Sequence, residues 1–391
     1  MRRFRFAVLL VLGTAALSLI AAAGASASSD VVGHVYVNDN AAGVNTIAGF
    51  DRHADGSLTP IPGSPFAVGG AGLGKGDASQ GSLQLSADGR YLLAVDAGSN
   101  QISVARIKPD GSLQAAGGSP VSSNGVNPVS IAVDGRLVYV ANQGPGANVG
   151  DSNYTGFTLN AGGHLAPLAG STVPVANGSL PADVLFNADG SKLVGTRVGS
   201  SEIDSFTVGA DGLLTAAAGS PFAAQGFTPA QGFGQLGSEF SPTNPDQLFV
   251  SDAHTAAGTG APGLVSSFTD AADGLLTPIG SSPVSNDGIA SCWVEISHDG
   301  AYLFVVNTGS ATVSSYQIAA DGSLTFLTST PSGELGAGAE DARLSPDGST
   351  LWVVEAGADA VVGFTVNGGN LTPLSSLPGP AGATPTGIVV N

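Results

Sequence analysis

Seven polar or charged residues recur at regular spacing along the chain, each at the end of a short apolar run. They are Asp39, Asp96, Asn142, Arg197, Asp252, Asn307 and Glu355. Aspartate and asparagine begin turns by bonding nearby backbone amides, so these residue types are either turn-formers or ligand-binding groups. Arginine and glutamate form turns poorly, and we therefore predict Arg197 and Glu355 as catalytic residues.

A second set of charged residues, Glu239, Glu295 and Arg343, lies in the middle of other apolar runs. One interpretation is a buried ion network, in which Arg343 would depress the pKa values of the carboxyl groups. In the other, Arg343 would hold a substrate carboxylate or polarise a carbonyl. A carboxyl such as Glu295 with a raised pKa would then act as general acid or base.

One histidine, His254, falls in a long loop of the kind that carries sites, where it is either a general base or a solvated residue. The glycine-rich stretch Gly69 to Gly76 approaches the phosphate loop of nucleotide hydrolases, but Gly76 stands where that loop needs Ser or Thr. No Cys/His spacing typical of a metal site occurs, so we predict neither a metal nor a cofactor.

The elements that must position these residues repeat along the chain. LSADGRYLLAVDAGSNQISVARIKPDGSLQAA at residue 85 returns as ISHDGAYLFVVNTGSATVSSYQIAADGSLTFL at 296 and LSPDGSTLWVVEAGADAVVGFTVNGGNLTPL at 344. Asp-Gly pairs between apolar runs predict tight hairpins, because glycine supplies the positive φ that these turns need. Each unit therefore predicts four antiparallel strands.

Seven such units predict an all-β, seven-bladed β-propeller. The chain begins with a pattern typical of a second strand, residues 33–37, and ends with one typical of a first strand, residues 385–390. We therefore expect the C-terminal strand to close the first blade. The alternative is an open solenoid or a two-sheet sandwich.

Composition and the N-terminus indicate an exported protein. Residues 1–27 combine three arginines, an apolar run and Ala25-Ser26-Ala27, which predicts a secretory signal peptide ahead of a propeller spanning 28–391. The net charge of −18 disfavours nucleic acid and anionic lipid as partners. We expect a secreted monomer with no stable membrane anchor that can bind a small molecule. Arg2 and Arg3 leave twin-arginine export as an alternative route.

Units such as Leu344 to Gly348 and Tyr302 to Asn307 resemble the seven-bladed lactonase family, which includes propeller-type 6-phosphogluconolactonases and carboxymuconate cyclases. The resemblance implies a propeller fold and hydrolysis of lactones. Members of the family carry Pro-Arg-His or His-Pro-His at the start of an innermost strand and Asn-Glu after a second strand. The corresponding stretches here are Pro181-Ala182-Asp183, Ser291-Cys292-Trp293, Ala339-Glu340-Asp341 and Asn307-Thr308.

The family's His and Arg have no counterpart in these stretches, although Asp183 and Asp341 remain ligand-binding candidates. We therefore expect an exported lactonase-type propeller that hydrolyses an unphosphorylated lactone or a related cyclic compound. The alternative is a non-catalytic extracellular or cell-surface scaffold for binding.

Overall fold

A computed structural model describes residues 30–144, 152–223, 234–253, 262–374, 377–378 and 384–391. Within these residues 34 strands form seven antiparallel sheets, the blades, and a three-residue 3-10 turn spans Ala97–Ser99. No helix in the described part is long and apolar enough to cross a membrane.

The first four blades follow one another along the chain. Blade 1 contains β1 (Val31–Asn38), β2 (Thr46–His53), β3 (Leu58–Pro60) and β4 (Phe66–Ala67). Blade 2 contains β5 (Leu83–Leu85), β6 (Tyr91–Asp96), β7 (Gln101–Ile107), β8 (Leu113–Ala115) and β9 (Val121–Ser122). Blade 3 contains β10 (Pro128–Asp134), β11 (Leu137–Asn142), β12 (Asn153–Leu159), β13 (Leu165–Pro167) and β14 (Val173–Pro174). Blade 4 contains β15 (Pro181–Phe186), β16 (Lys192–Arg197), β17 (Glu202–Val208), β18 (Leu214–Ala216) and β19 (Phe222–Ala223).

The remaining three blades complete the ring. Blade 5 contains β20 (Gln235–Ser241), β21 (Asn244–Asp252), β22 (Leu264–Asp270), β23 (Leu276–Pro278) and β24 (Val284–Ser285). Blade 6 contains β25 (Ser291–Ile296), β26 (Tyr302–Asn307), β27 (Thr312–Ile318) and β28 (Leu324–Pro331). Blade 7 contains β29 (Ala339–Leu344), β30 (Thr350–Glu355), β31 (Ala360–Asn367), β32 (Asn370–Pro373) and β33 (Leu377–Pro378). The last strand, β34 (Gly387–Val390), belongs to blade 1.

The predicted closure of the ring is confirmed. β34 pairs antiparallel with β1, with Val390 opposite Val35 and Gly387 opposite Asn38. Apolar clusters fill each junction between neighbouring blades, including the one between blades 7 and 1, where Trp352 packs with Val35. The core is therefore a ring of inter-blade layers around an axial channel.

The Asp-Gly turns between first and second strands form as predicted. In blade 7 the Asp347 carboxylate accepts hydrogen bonds from the Ser345 hydroxyl at 2.6 Å and from the Ser349 amide at 3.1 Å. Gly348 follows with a φ of 69°, which a residue with a Cβ adopts at a cost. The Ser-x-Asp-Gly pattern therefore supplies both the side-chain bonds and the backbone freedom of the hairpin.

The fourth strand differs in detail from the sequence prediction, because in six blades it is split into two short pieces that pair with opposite ends of the third strand. In blade 1, Ser64 lies in the interruption, and its hydroxyl accepts the Gly49 amide of the third strand at 2.8 Å. Ser119 does the same for Val104 at 2.8 Å in blade 2. The serine thus satisfies a backbone donor that the interrupted strand leaves without a partner.

Candidate functional site

The second strands of all seven blades run in the same direction, so their last residues lie on one face of the ring. Six of the predicted residues hold that last position: Asp96, Asn142, Arg197, Asp252, Asn307 and Glu355. In blade 1 the position belongs to Asn38, and Asp39 follows it. All seven predicted side chains are buried, with exposures at or below 8%.

The aspartates of this set are bonded within the blades. Asp96 accepts hydrogen bonds from the Asn45 amide at 2.9 Å and the Ser103 hydroxyl at 2.5 Å. Asp252 accepts one from the Ser266 hydroxyl at 2.7 Å, and burial raises its pKa to about 7. These carboxyl groups therefore join neighbouring strands instead of presenting themselves to a ligand.

The asparagines are used in the same way. The Asn142 amide donates to Asn153 Oδ1 at 2.9 Å, and the Asn307 amide donates to the Ser314 hydroxyl at 2.8 Å. Side chains at the ends of the second strands thus bond to the third strands of the same blades. Both residues complete hydrogen-bond networks inside the fold.

Arg197 forms a satisfied ion pair within blade 4. Its Nε and Nη2 both contact the Asp204 carboxylate at 2.5 Å, and Tyr154 donates its hydroxyl proton to the same carboxylate at 2.9 Å. Glu202 lies 3.3 Å from Nη1. A guanidinium held in this bidentate way is paired within its own blade, so the structure places Arg197 in an ion pair and away from the cavity described below.

Asp39 and Glu355 are buried acids in blades 1 and 7. The Thr46 hydroxyl donates to Asp39 at 2.6 Å, and burial raises the pKa of Asp39 to about 7. Burial also raises the pKa of Glu355, which is 3% exposed. Neither side chain lines the cavity described below. His254 lies outside the described residues.

The predicted charged trio does meet in the axial channel. Arg343 Nη1 lies 3.0 Å from Glu295 Oε2 and 3.7 Å from Asp341 Oδ1, and the charge of Arg343 also acts on Glu239. Asp183 faces the same group, and its carboxylate accepts the Ser238 amide at 2.8 Å. Asp183 and Asp341 therefore belong to this buried network rather than to the surface.

The prediction that Arg343 depresses the pKa values of these acids is wrong. Burial raises the pKa of Glu239, Glu295 and Asp341, and it raises that of Asp183 to about 6. The nearby arginine lowers these pKa values by less than burial raises them, because desolvation in the narrow channel disfavours every charged carboxylate.

We expect Arg343→Met to destabilise the protein by about 3–5 kcal/mol at neutral pH, because it removes the cation that offsets several buried acids. The loss should grow as pH rises. A carboxyl whose pKa is raised in the folded state lowers the stability of the protein as pH rises from its unfolded-state pKa through its folded-state pKa. The variant raises the folded-state pKa values of these acids further. Melting curves between about pH 4 and 7 measure the difference between the variant and the wild type.

Arg343→Lys is the matched control, since it keeps a cation in the channel and should lose less stability. A stability difference between the wild type and Arg343→Met that stays constant with pH would show that these acids do not titrate as one network.

An axial plug, residues 76–82, fills the channel above this network. The backbone amide of Gln80 donates to the Ala182 carbonyl at 3.1 Å, and its side-chain amide donates to the Ser238 carbonyl at 2.9 Å. Gln80 Oε1 accepts the Val294 amide at 3.0 Å. The backbone and side chain of Gln80 together thus link blades 4, 5 and 6, while Gly81 donates to Asp341 of blade 7 at 3.4 Å. The plug separates the charged network from the face of the ring.

A cavity of about 250 Å³ opens on that face, above the plug, and we call it the mouth cavity. Its polar side chains are Asp77 of the plug, Glu340 of β29 and Thr308 after β26. Burial raises the pKa of Asp77 to about 6. Burial, and then the charges of Asp77 and Asp341, raise the pKa of Glu340 well above its ordinary value. The cavity thus holds two acids with raised pKa values, a hallmark of acid–base chemistry.

The hydrogen bonding and protonation of other groups around the cavity bear on the reactions it could support. Glu340 Oε2 is buried with no hydrogen-bond partner among the described residues. Burial raises the pKa of the Cys292 thiol to about 12, so this residue is a neutral thiol rather than a nucleophile. In the described part of the chain no group of three or more His, Cys, Asp or Glu residues is arranged to hold a metal ion. A carboxylate beside such a cavity can activate water.

A second depression of about 420 Å³, the side hollow, adjoins the mouth cavity and shares Gly76 and Asp77 with it. It is polar, with Lys75, Asn127 and Gln143 in its lining. On the opposite face, a hollow of about 380 Å³ is lined by Arg136 and by the exposed ion pair of Asp88 and Arg90, and Asp88 is the one acid among its described residues. The mouth cavity is therefore the candidate site.

Sequence reasoning missed Asp77 and used Glu340 only as part of a family stretch. The stretches that contain Cys292, Trp293, Thr308 and Glu340 all meet at the mouth cavity. Asp77 carries no such signal, because it lies in a loop between blades. Its position in a glycine-rich segment that enters the channel was the available clue.

Comparison with known proteins supports the fold and the family. Residues 240–390 match the family model described as lactonase, seven-bladed β-propeller. No curated protein matches the chain at a significant level.

Solved structures resemble the chain over most of its length. A periplasmic gluconolactonase from Pseudomonas aeruginosa has a TM-score of 0.69 at 19% identity, over 92% of this chain and 98% of its own. A protein from Bacteroides fragilis, provisionally assigned as a 6-phosphogluconolactonase, has a TM-score of 0.70 at 20% identity, over 93% and 99%. One from Bacteroides uniformis with the same assignment has a TM-score of 0.70 at 18% identity, over 92% and 99%.

At these identities the structures show a shared fold, and the family model adds a match in sequence over the last three blades. The resemblance to the seven-bladed β-propeller lactonase family is therefore confirmed.

Proposed function

We propose that this protein is an exported hydrolase of unphosphorylated lactones or related cyclic esters, with its active site in the mouth cavity. The observation that carries the proposal is the pair of acids, half-buried Asp77 and buried Glu340, facing one cavity at the position of the family stretches. Unlike the acids of the charged network, these two line an open cavity, where groups of raised pKa are candidates for acid–base chemistry.

The two acids suit opposite roles at neutral pH. Asp77, with a pKa of about 6, is mainly ionised and can act as general base. Burial raises the pKa of Glu340 well above its ordinary value, so this carboxyl is the better suited of the two to donate a proton. Environments that separate the pKa values of two carboxyl groups assign their roles in this way.

Hydrolysis would use both groups in one sequence. Asp77 takes a proton from water while the water oxygen forms a bond to the lactone carbonyl carbon. The bond between that carbon and the ring oxygen breaks, and Glu340 gives its proton to the ring oxygen. The product is a hydroxy acid, and the proton on Asp77 returns to Glu340 through solvent.

The cavity lining and the N-terminal sequence both bear on whether the substrate carries a phosphate group. Among its described residues the mouth cavity has no Arg or Lys, the side chains that usually hold phosphate. The signal-peptide pattern of residues 1–27 supports export, and sugar phosphates are substrates of the cell interior. Both points favour a lactone without phosphate.

Rate measurements on a panel of plain γ- and δ-lactones test the proposal. We expect hydrolysis with a bell-shaped pH dependence of kcat/KM, rising as Asp77 ionises near pH 6 and falling where Glu340 loses its proton. Absence of hydrolysis across the panel would favour the binding scaffold instead.

A further inference from the structure

The wall of the mouth cavity is built mainly from apolar side chains. Residues from blades 4, 5 and 6 contribute, namely Val198, Leu236, Ala253, Ala290, Cys292 and Trp293. Trp293 already donates its indole N–H to the Ser79 carbonyl, so its ring offers the cavity no free polar atom. Cys292 is a neutral thiol that behaves as a small apolar group.

Polar side chains of the mouth cavity suffice for one ester group and little else. Those among its described residues are Asp77, Glu340 and Thr308. Glu340 Oε2 is buried and has no hydrogen-bond partner within the described chain, and the Thr308 hydroxyl lies beside the Cys292 thiol. They can therefore meet a carbonyl and a ring oxygen, but the hydroxyls of a sugar lactone would be buried beside carbon without partners.

The polar side hollow does not remove this difficulty. Lys75, Asn127 and Gln143 could bond to hydroxyl groups there, but Glu340 does not line that hollow. Asp77 is the one acid that both depressions share. A lactone that uses both acids must therefore place its ring in the mouth cavity.

We infer that the substrate is a lactone carrying a short aliphatic side chain, and that the protein discriminates against polyhydroxylated sugar lactones. This inference rests on the proposed function. A volume of about 250 Å³ lies just below the usual range of ligand pockets, which suits a small ring with a short chain.

The test compares two substrates with the same six-membered ring, δ-octalactone and glucono-δ-lactone, on the full mature protein. We expect kcat/KM for δ-octalactone to be higher by roughly tenfold or more, as for other discriminations made by an apolar pocket. The kcat/KM for δ-valerolactone, which has the ring alone, should be lower than that for δ-octalactone.

Ala290→Leu tests the wall directly, because it fills part of the space proposed for the side chain. It should lower the ratio of kcat/KM for δ-octalactone to kcat/KM for δ-valerolactone by roughly tenfold, because the side chain meets the filled space and the ring alone does not. Ala87→Leu, on an exposed turn of the opposite face, is the matched control and should change neither rate.

The outcomes separate the two proposals. Faster hydrolysis of glucono-δ-lactone than of δ-octalactone would overturn the inference and leave lactone hydrolysis standing. Hydrolysis of none of the three would overturn the proposed function itself. The comparison of substrates on the wild type decides the matter even if Ala290→Leu fails to fold.

Discussion

Asp77→Asn should lower kcat/KM for a hydrolysed lactone by about 10²- to 10⁴-fold, the usual contribution of a general base. Asparagine keeps the size of the side chain but cannot accept a proton from water. The acid limb of the pH profile, set by the Asp77 pKa of about 6, should disappear in the variant. Steady-state rates between pH 4 and 9 measure both effects.

The melting temperature of Asp77→Asn distinguishes a catalytic role of Asp77 from a structural one. The folded-state pKa of Asp77 is raised from 3.8 to about 6, so ionisation of this group lowers stability as pH rises through that window. Asp77→Asn removes this loss, and its melting temperature at neutral pH should equal or exceed that of the wild type. A variant that loses activity because it melts early would contradict the proposed role.

Two further variants complete the experiment. Glu340→Gln should lower the rate and remove the alkaline limb of the profile, because the proton donor is replaced by an amide. Asp134→Asn is the control, since Asp134 is an exposed aspartate at the end of β10 on the opposite face. It should leave both rate and profile unchanged.

Deleting residues 385–391 should abolish the folded state, because it removes β34, the innermost strand of blade 1. Ile388 and Val390 pack in the cluster between blades 7 and 1, and Val389 packs in the cluster between blades 1 and 2. Each such side chain contributes about 1.5–3 kcal/mol. Together they approach the total stability of about 5–15 kcal/mol that is typical of a protein. Yield of soluble protein and melting by circular dichroism measure the result.

A permuted chain provides the control for this deletion. The Asn391 amide donates to the His34 carbonyl at 2.9 Å, so the end of β34 lies beside the start of β1. Residues 384–391 can therefore be moved ahead of residue 30 through a short glycine linker, forming a hairpin like those of the other blades. The permuted chain should fold, and a truncated protein that melts like the wild type would show that the ring does not depend on β34.

The blades, their hairpins and the closure of the ring could be predicted from the sequence because local patterns set them. Asp347-Gly348 makes its turn from its own side chain and its own φ, and alternation of apolar residues defines the faces of each strand. The interrupted fourth strands were missed, since they depend on serine hydroxyls such as Ser64 bonding across to another strand.

The site was decided by the tertiary structure. Arg197 and Glu355 stand out in the sequence because they form turns poorly, yet the fold places Arg197 against Asp204 and buries Glu355. Asp77 and Glu340 meet only because the plug enters the channel, where its Gly81 contacts Asp341, a residue 260 positions later. The pKa values of both acids are raised mainly by burial, and burial is a property of all the blades around them rather than of any local stretch.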